Sequence, residues 1–222
     1  MEQKENRVVL RGTAAGEATL SHQVHGLDFY RFPLSVPRLS GREDRLNILL
    51  PAPPEGKALP QPGDYLEVTG EVRSFNNRSG VGSRLVITVL VRSVLPGVGE
   101  PCNQVWLRGT LCKPPILRRT PLGRDICDLL LAVNRRYRRA DYLPCIAWGR
   151  LAQECGEMTT GDPCGSTGGC KAGPISKTWA RSRRSAPPLR SPFLAWSRSK
   201  TPPFPAYFEA LEPKRSSKNR RL

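Results

Sequence analysis

The segment Asn6-Arg7-Val8-Val9-Leu10-Arg11-Gly12-Thr13 returns 97 residues later as Asn103-Gln104-Val105-Trp106-Leu107-Arg108-Gly109-Thr110. The same offset holds onward without a gap. Gly26 falls on Gly123, Asp28 on Asp125, Leu34 on Leu131, Val36 on Val133, Arg38 on Arg135, Asp44 on Asp141 and Leu46 on Leu143. A register that constant marks a chain built from two copies of one unit. The first copy spans residues 4–97 and the second begins at residue 102.

Each copy reads as β structure. Val8, Leu10 and Gly12 alternate with Val9 and Arg11 in a first strand that ends at a glycine. Phe29–Val36 alternates with period two, and Leu46–Leu50 does so more loosely. A proline-rich connection from Pro51 to Pro62 leads to a Gly63-Asp64 turn. Two further strands follow, Tyr65–Val72 and Arg84–Val89, with a polar hairpin tip at Asn76–Gly80. Five strands with a connecting segment between the third and fourth is the plan of the OB-fold barrel. In the second copy, the first three strands are expected at 104–111, 124–133 and 142–148. A short helix follows over Gly149–Met158, with Leu151 and Cys155 on one face.

After Gly161-Asp162 the alternation stops, so the second copy is expected to be truncated at 102–162, lacking its last two strands. Residues 163–222 carry 13 Lys/Arg against two acidic residues, with nine Pro and nine Ser. Most of the chain's net charge of +16 therefore lies in this segment. Its composition is that of a disordered basic tail. Read one base earlier, the codons available to Cys164–Ile175 encode Leu-Trp-Leu-Asp-Gly-Arg-Leu-Gln-Ser-Arg-Ala-Tyr. Its apolar, glycine and serine positions match Leu66, Val68, Gly70, Val72 and Ser74. Ala186–Phe193 can likewise encode an alternating fifth strand, and a stop codon becomes available at Ser199/Lys200. The expectation is a frame change near Pro163; the competing one is a genuine basic nucleic-acid arm.

Several classes of function are disfavoured by the residues present. No apolar run is long enough to span a bilayer, and the charged start Met1–Arg7 is not a secretory signal. The seven cysteines form no CxxC pair, and His22 and His25 lie far from them, so neither a metal site nor a disulfide framework is expected. They read as reduced thiols filling strands. No paired carboxylates, activated nucleophile or phosphate-cradling glycine loop appears, so neither an enzyme nor a cofactor is expected.

Asn103–Gly109, Arg119-Thr120-Pro121-Leu122-Gly123, Leu131–Arg135 and Ala147-Trp148-Gly149-Arg150-Leu151-Ala152 together resemble the bacterial single-stranded DNA-binding protein family. The first copy is similar, more distantly, to that family and to primosomal replication protein N. The likeness implies sequence-independent binding of single-stranded DNA in replication, repair and recombination, in the bacterial cytoplasm at the nucleoid. It also implies dimers giving four barrels, with replication and repair proteins as further partners.

A binder of this kind needs aromatic platforms and a cationic groove. The second copy offers Arg118, Arg119, Arg135, Arg136, Arg138 and Arg150 interleaved with Tyr137, Tyr142 and Trp148. Its Tyr137, Tyr142 and Trp148 match family positions that stack on bases, and Arg118 and Arg150 match basic phosphate contacts. Tyr142 and Trp148 share one face of a strand, which is either a binding face or core. In the first copy the candidate platform is Phe75, beside Arg73 and opposite Arg84. The chain departs from the family in Tyr142-Leu143-Pro144, where a Trp-His-Arg stretch is common, and in its basic rather than acidic C-terminus. A primosome-type protein adaptor and an RNA-binding OB module are the competing readings.

Overall fold

The computed structural model describes residues 6–38, 40–77, 84–135, 137, 139–172 and 206–210. The first copy forms β1 (Asn6–Ala14), β2 (Thr19–Val24), β3 (Leu27–Pro37), β4 (Glu43–Pro51), β5 (Tyr65–Asn76) and β6 (Leu85–Pro96). β1 pairs antiparallel with β5 and, at its end, with β3; β3 pairs with β4, and β5 with β6. The parallel contact of Ile48 and Leu49 with Val89 and Leu90 joins β4 to β6 and closes the ring. This is the OB-fold barrel that the five alternating segments predict. Alternation places Val8, Leu10, Leu34, Val36, Ile48, Val68 and Val72 in the buried interior.

The second copy repeats that ring through β7 (Cys102–Leu111), β8 (Ile116–Arg119), β9 (Asp125–Asn134), β10 (Ala140–Trp148), α1 (Arg150–Gly156), β11 (Pro163–Ala172) and β12 (Ala206–Ala210). Val105, Leu107, Leu131, Val133 and Leu143 occupy the core positions of Val8, Leu10, Leu34, Val36 and Leu46. Gly12 and Gly109 are equivalent for a steric reason. A Cβ at either position would drive into a backbone carbonyl oxygen, that of Ser35 or of Ala132. The α1 helix occupies the expected span, but Ala152 is buried with Cys155, while Leu151 is only partly covered.

The expected loss of the last two strands of the second barrel is corrected by the structure. β11 pairs antiparallel with β7, and β12 pairs antiparallel with β11 and parallel with β10, as β5 and β6 do in the first barrel. The second unit therefore extends past residue 162. β11 contains Gly165, Gly168 and Gly169 and no alternating large apolar residues, which is why composition hid it. Its register is set instead by a side chain on the neighbouring strand. Asn103 donates to the Cys170 carbonyl at 2.6 Å and accepts from the Cys170 amide at 2.7 Å. Asn6 does the same to Val72, at 2.8 Å for both bonds. Gly168 thus stands where Gly70 does, the register that the alternative reading frame requires. The fifth strand expected at 186–193 lies outside the described residues, as does most of the basic tail.

The two barrels join through their first strands. β1 and β7 pair antiparallel from Asn6↔Leu107 to Arg11↔Cys102, so one continuous sheet runs through both units. β2 and β8, which no periodicity announced, are hairpin arms on β3 and β9. Every residue of β2 is exposed, so it has no buried face to write an alternating pattern. Its His25-Gly26 turn has positive φ at both residues, the geometry that matches strand twist in a tight hairpin.

Candidate nucleic-acid interface

β10 has two faces of opposite character. Leu143, Cys145 and Ala147 point into the barrel, which leaves Tyr142 and Trp148 together on the outer face. Both rings therefore lie outside the barrel core. Tyr142 is 36% exposed and Trp148 is half-buried. Strand register sets Arg118 of β8, Ile126 of β9 and Trp148 of β10 abreast. A cation and an indole therefore flank one aliphatic side chain on the same outer sheet surface.

Three of the predicted arginines, Arg118, Arg119 and Arg150, are held by carboxylates of their own barrel. Arg118 grips Asp128 through two hydrogen bonds, at 2.8 and 3.1 Å. Arg119 binds Asp125 at 2.7 Å. That hydrogen bond, with a second from Gln153, holds the Asp125 carboxyl below the usual carboxylate range. Arg150, 87% exposed, binds Glu154 one helical turn on at 2.8 Å. Each pairing fixes a guanidinium while leaving its outer edge able to face a phosphate.

The turn between β9 and β10 is closed by the Arg135 amide donating to the Arg139 carbonyl at 2.7 Å. Tyr137 stands at its tip, 91% exposed, with φ of +61°, a region that bulky L-residues seldom occupy. Arg136 and Arg138 lie outside the described residues.

Arg135 leaves its own barrel's rim to join a buried cluster at the seam. It pairs with Asp141, which has no exposed surface, and donates to the Ser74 carbonyl of the first barrel at 3.0 Å. Arg73 reaches the same carboxylate at 3.1 Å and also pairs with Glu71. Arg135 also lies over the Phe75 ring, 5.6 Å from its centroid. The structure therefore brings Arg73, Phe75 and Arg135 together across the two units, while Arg84 stands half-buried at the start of the next strand.

The first barrel lacks the second's aromatic face. The repeat offset puts Arg45 where the second has Tyr142, and Pro51 where it has Trp148. Sequence reasoning missed His22 of the β2 arm stacked on Phe29, at 5.0 Å and with nearly parallel rings. It also missed Asp128 and Asp141 as the anchors of the arginines. A signal for Asp141 was available: Arg38 and Asp44, Arg119 and Asp125, and Arg135 and Asp141 are all six residues apart across a hairpin. Among the described residues, no group of three or more His, Cys, Asp or Glu is placed to hold a metal ion. Among the same residues, no helix is long and apolar enough to cross a membrane.

Residues 102–168 match the model of the Single-strand binding protein family. A single-stranded DNA-binding protein of Thermus aquaticus is 40% identical over 72 residues, covering 30% of this chain and 27% of that protein. Single-stranded DNA-binding protein A of Bacillus subtilis is 42% identical over 57 residues, 23% of this chain and 33% of that protein. The chain thus spans about a third or less of the length of these relatives. The crystal structure of the wild-type single-stranded DNA-binding protein from Thermus aquaticus superposes with a TM-score of 0.68. The match has 23% identity and covers 98% of this chain and 95% of that one, which shows a common fold.

Proposed function

We propose that this chain binds single-stranded DNA without sequence preference and without catalysing a reaction, a reading supported by the match of residues 102–168 to the single-strand binding protein family model. One observation carries the reading. Tyr142 and Trp148 share the outer face of β10, with Arg118 abreast of Trp148, so flat rings and a fixed cation line the same surface. Every base has a π-face, so stacking on such rings holds a strand regardless of sequence. Tyr137, Arg119 and Arg150 extend that surface at its rim, and Arg136 and Arg138, which flank Tyr137 in the sequence, are expected to add charge to it. Arg73, Phe75 and Arg84 supply the first barrel's share. The biological setting is replication, repair and recombination in the bacterial cytoplasm. The working assembly is a dimer of two-barrel chains.

Anisotropy of a labelled dT oligonucleotide tests this, with a duplex and an RNA hairpin as competitors. Binding to dT that weakens as salt rises, with poor competition by duplex, is the expected result. Preferential displacement by the hairpin identifies an RNA module, and no binding by any nucleic acid leaves a protein adaptor.

A further inference from the structure

We propose that the seam between the barrels is itself a base-binding site: Phe75 of the first barrel and Arg135 of the second form one composite platform, which Asp141 sets in place. The proposal rests on the single-stranded DNA reading and adds a subsite that neither barrel holds alone.

Phe75 lies on the outer face of β5, which is shared with Arg73, and a ring of that size left 40% exposed is unusual beside a barrel wall. One side of it is covered by the Arg135 guanidinium, 5.6 Å from the centroid. That guanidinium cannot swing freely. Asp141 and the Ser74 carbonyl hold it, and Asp141 is in turn held by Arg73 and by the Ser74 amide, at 3.1 and 2.5 Å. A fixed cation behind an aromatic ring leaves the ring's remaining surface for a base, and a cation on one face favours stacking on the other.

The seam also continues the track described above. The Tyr142 amide donates to the Ser74 hydroxyl at 2.9 Å, which docks the exposed Tyr142 next to the residue preceding Phe75. Trp148 lies six residues along β10 from Tyr142, about 20 Å at strand rise. A single strand following β10 from Trp148 to Tyr142 therefore arrives at Phe75 and crosses onto the first barrel. At the equivalent places on the first barrel's β4, Arg45 and Pro51 replace the two rings, so the track runs over this seam and not its pseudo-symmetric counterpart.

The test uses the full chain and a dT oligonucleotide long enough to cover both barrels. Phe75→Ala weakens binding by roughly 5- to 150-fold, the range of one lost base stack, with an unchanged circular dichroism spectrum and melting temperature. Phe75→Trp restores the affinity, and its added emission is quenched by dT. Asp141→Asn also weakens binding, and adding it to Phe75→Ala costs little more, because both changes disable one platform. Unchanged affinity in Phe75→Ala with unquenched emission from Phe75→Trp, in a parent that binds dT, overturns the seam site and leaves the wider reading standing. A parent that binds no dT overturns both.

Discussion

Asp141 of the second barrel accepts a hydrogen bond from Arg73 of the first at 3.1 Å, and no part of its side chain reaches solvent. Arg135 shares that carboxylate, so Asp141 bridges two cations at the seam, one of which, Arg73, also pairs with Glu71. Removing the shared partner of a buried ion cluster strands the remaining charges in a poorly solvated place. Asp141→Ala is therefore expected to destabilise the chain by about 3–5 kcal/mol. Urea denaturation followed by circular dichroism measures this, and a midpoint equal to the parent's contradicts it. The first barrel's counterpart, Asp44, is also buried and pairs with Arg38. It faces β11, where its charge adds to burial in raising the Cys170 thiol.

Gly12 and Gly109 test the equivalence of the two barrels. At each, a methyl group would overlap a carbonyl oxygen of the neighbouring strand, and backbone has no rotamer in which to escape. Gly12→Ala and Gly109→Ala are each expected to cost about 1–3 kcal/mol, as overpacking does. Thermal melts of the two variants measure it. A drop for one glycine only shows that the barrels are not built alike.

The cysteines of the second barrel give stability a pH dependence. Burial pushes the Cys127 thiol up to about 12 and the Cys155 thiol up to about 11, from 9.0. Between the unfolded and folded values the native state holds protons that the unfolded chain releases. This contribution is complete below about pH 9 and falls away as pH rises toward about 12. Melts at about pH 8 and about pH 10.5 show it: a Cys127→Val, Cys155→Val variant loses less than the parent between them. Equal losses contradict the assignment.

β11 tests the frame change near Pro163. Cys164 and Cys170 are buried where the first barrel has Leu66 and Val72, so the second core is filled there by smaller groups. Cys164→Leu with Cys170→Val copies the first barrel. It is expected to stabilise the chain by about 0.8 kcal/mol for each methylene newly buried. A raised melting temperature supports a frame in which this strand carries larger residues, and a lowered one shows that the site has no room. Sequencing the coding DNA across the Asp162 codon checks the frame itself.

Much of the fold was legible because the chain states it twice. Val8, Leu10, Leu34 and Val36 alternate, their partners 97 residues on do the same, and both sets are core. β2 was not legible because an arm exposed on every residue leaves no hydrophobic period. β11 was not legible because its place is held by the Asn103 amide and by ladder pairing, which alternation does not record. The outward face of Tyr142 and Trp148 followed from strand parity only after Leu143 was known to point inward. The arginines were visible as charge, but partners such as Asp125 and Asp141 sit across hairpins, and only the recurring six-residue spacing hints at them.

The central claim is that bases stack on the outer face of β10, and Trp148 reports on it directly. Titrating the chain with poly(dT) at low salt, beside a Trp148→Phe variant, is the decisive measurement. Strong quenching of the parent's tryptophan emission, reversed by salt, is expected, with much weaker quenching in the variant. Emission that poly(dT) leaves unchanged in dilute buffer, or quenching equal in both proteins, would contradict it.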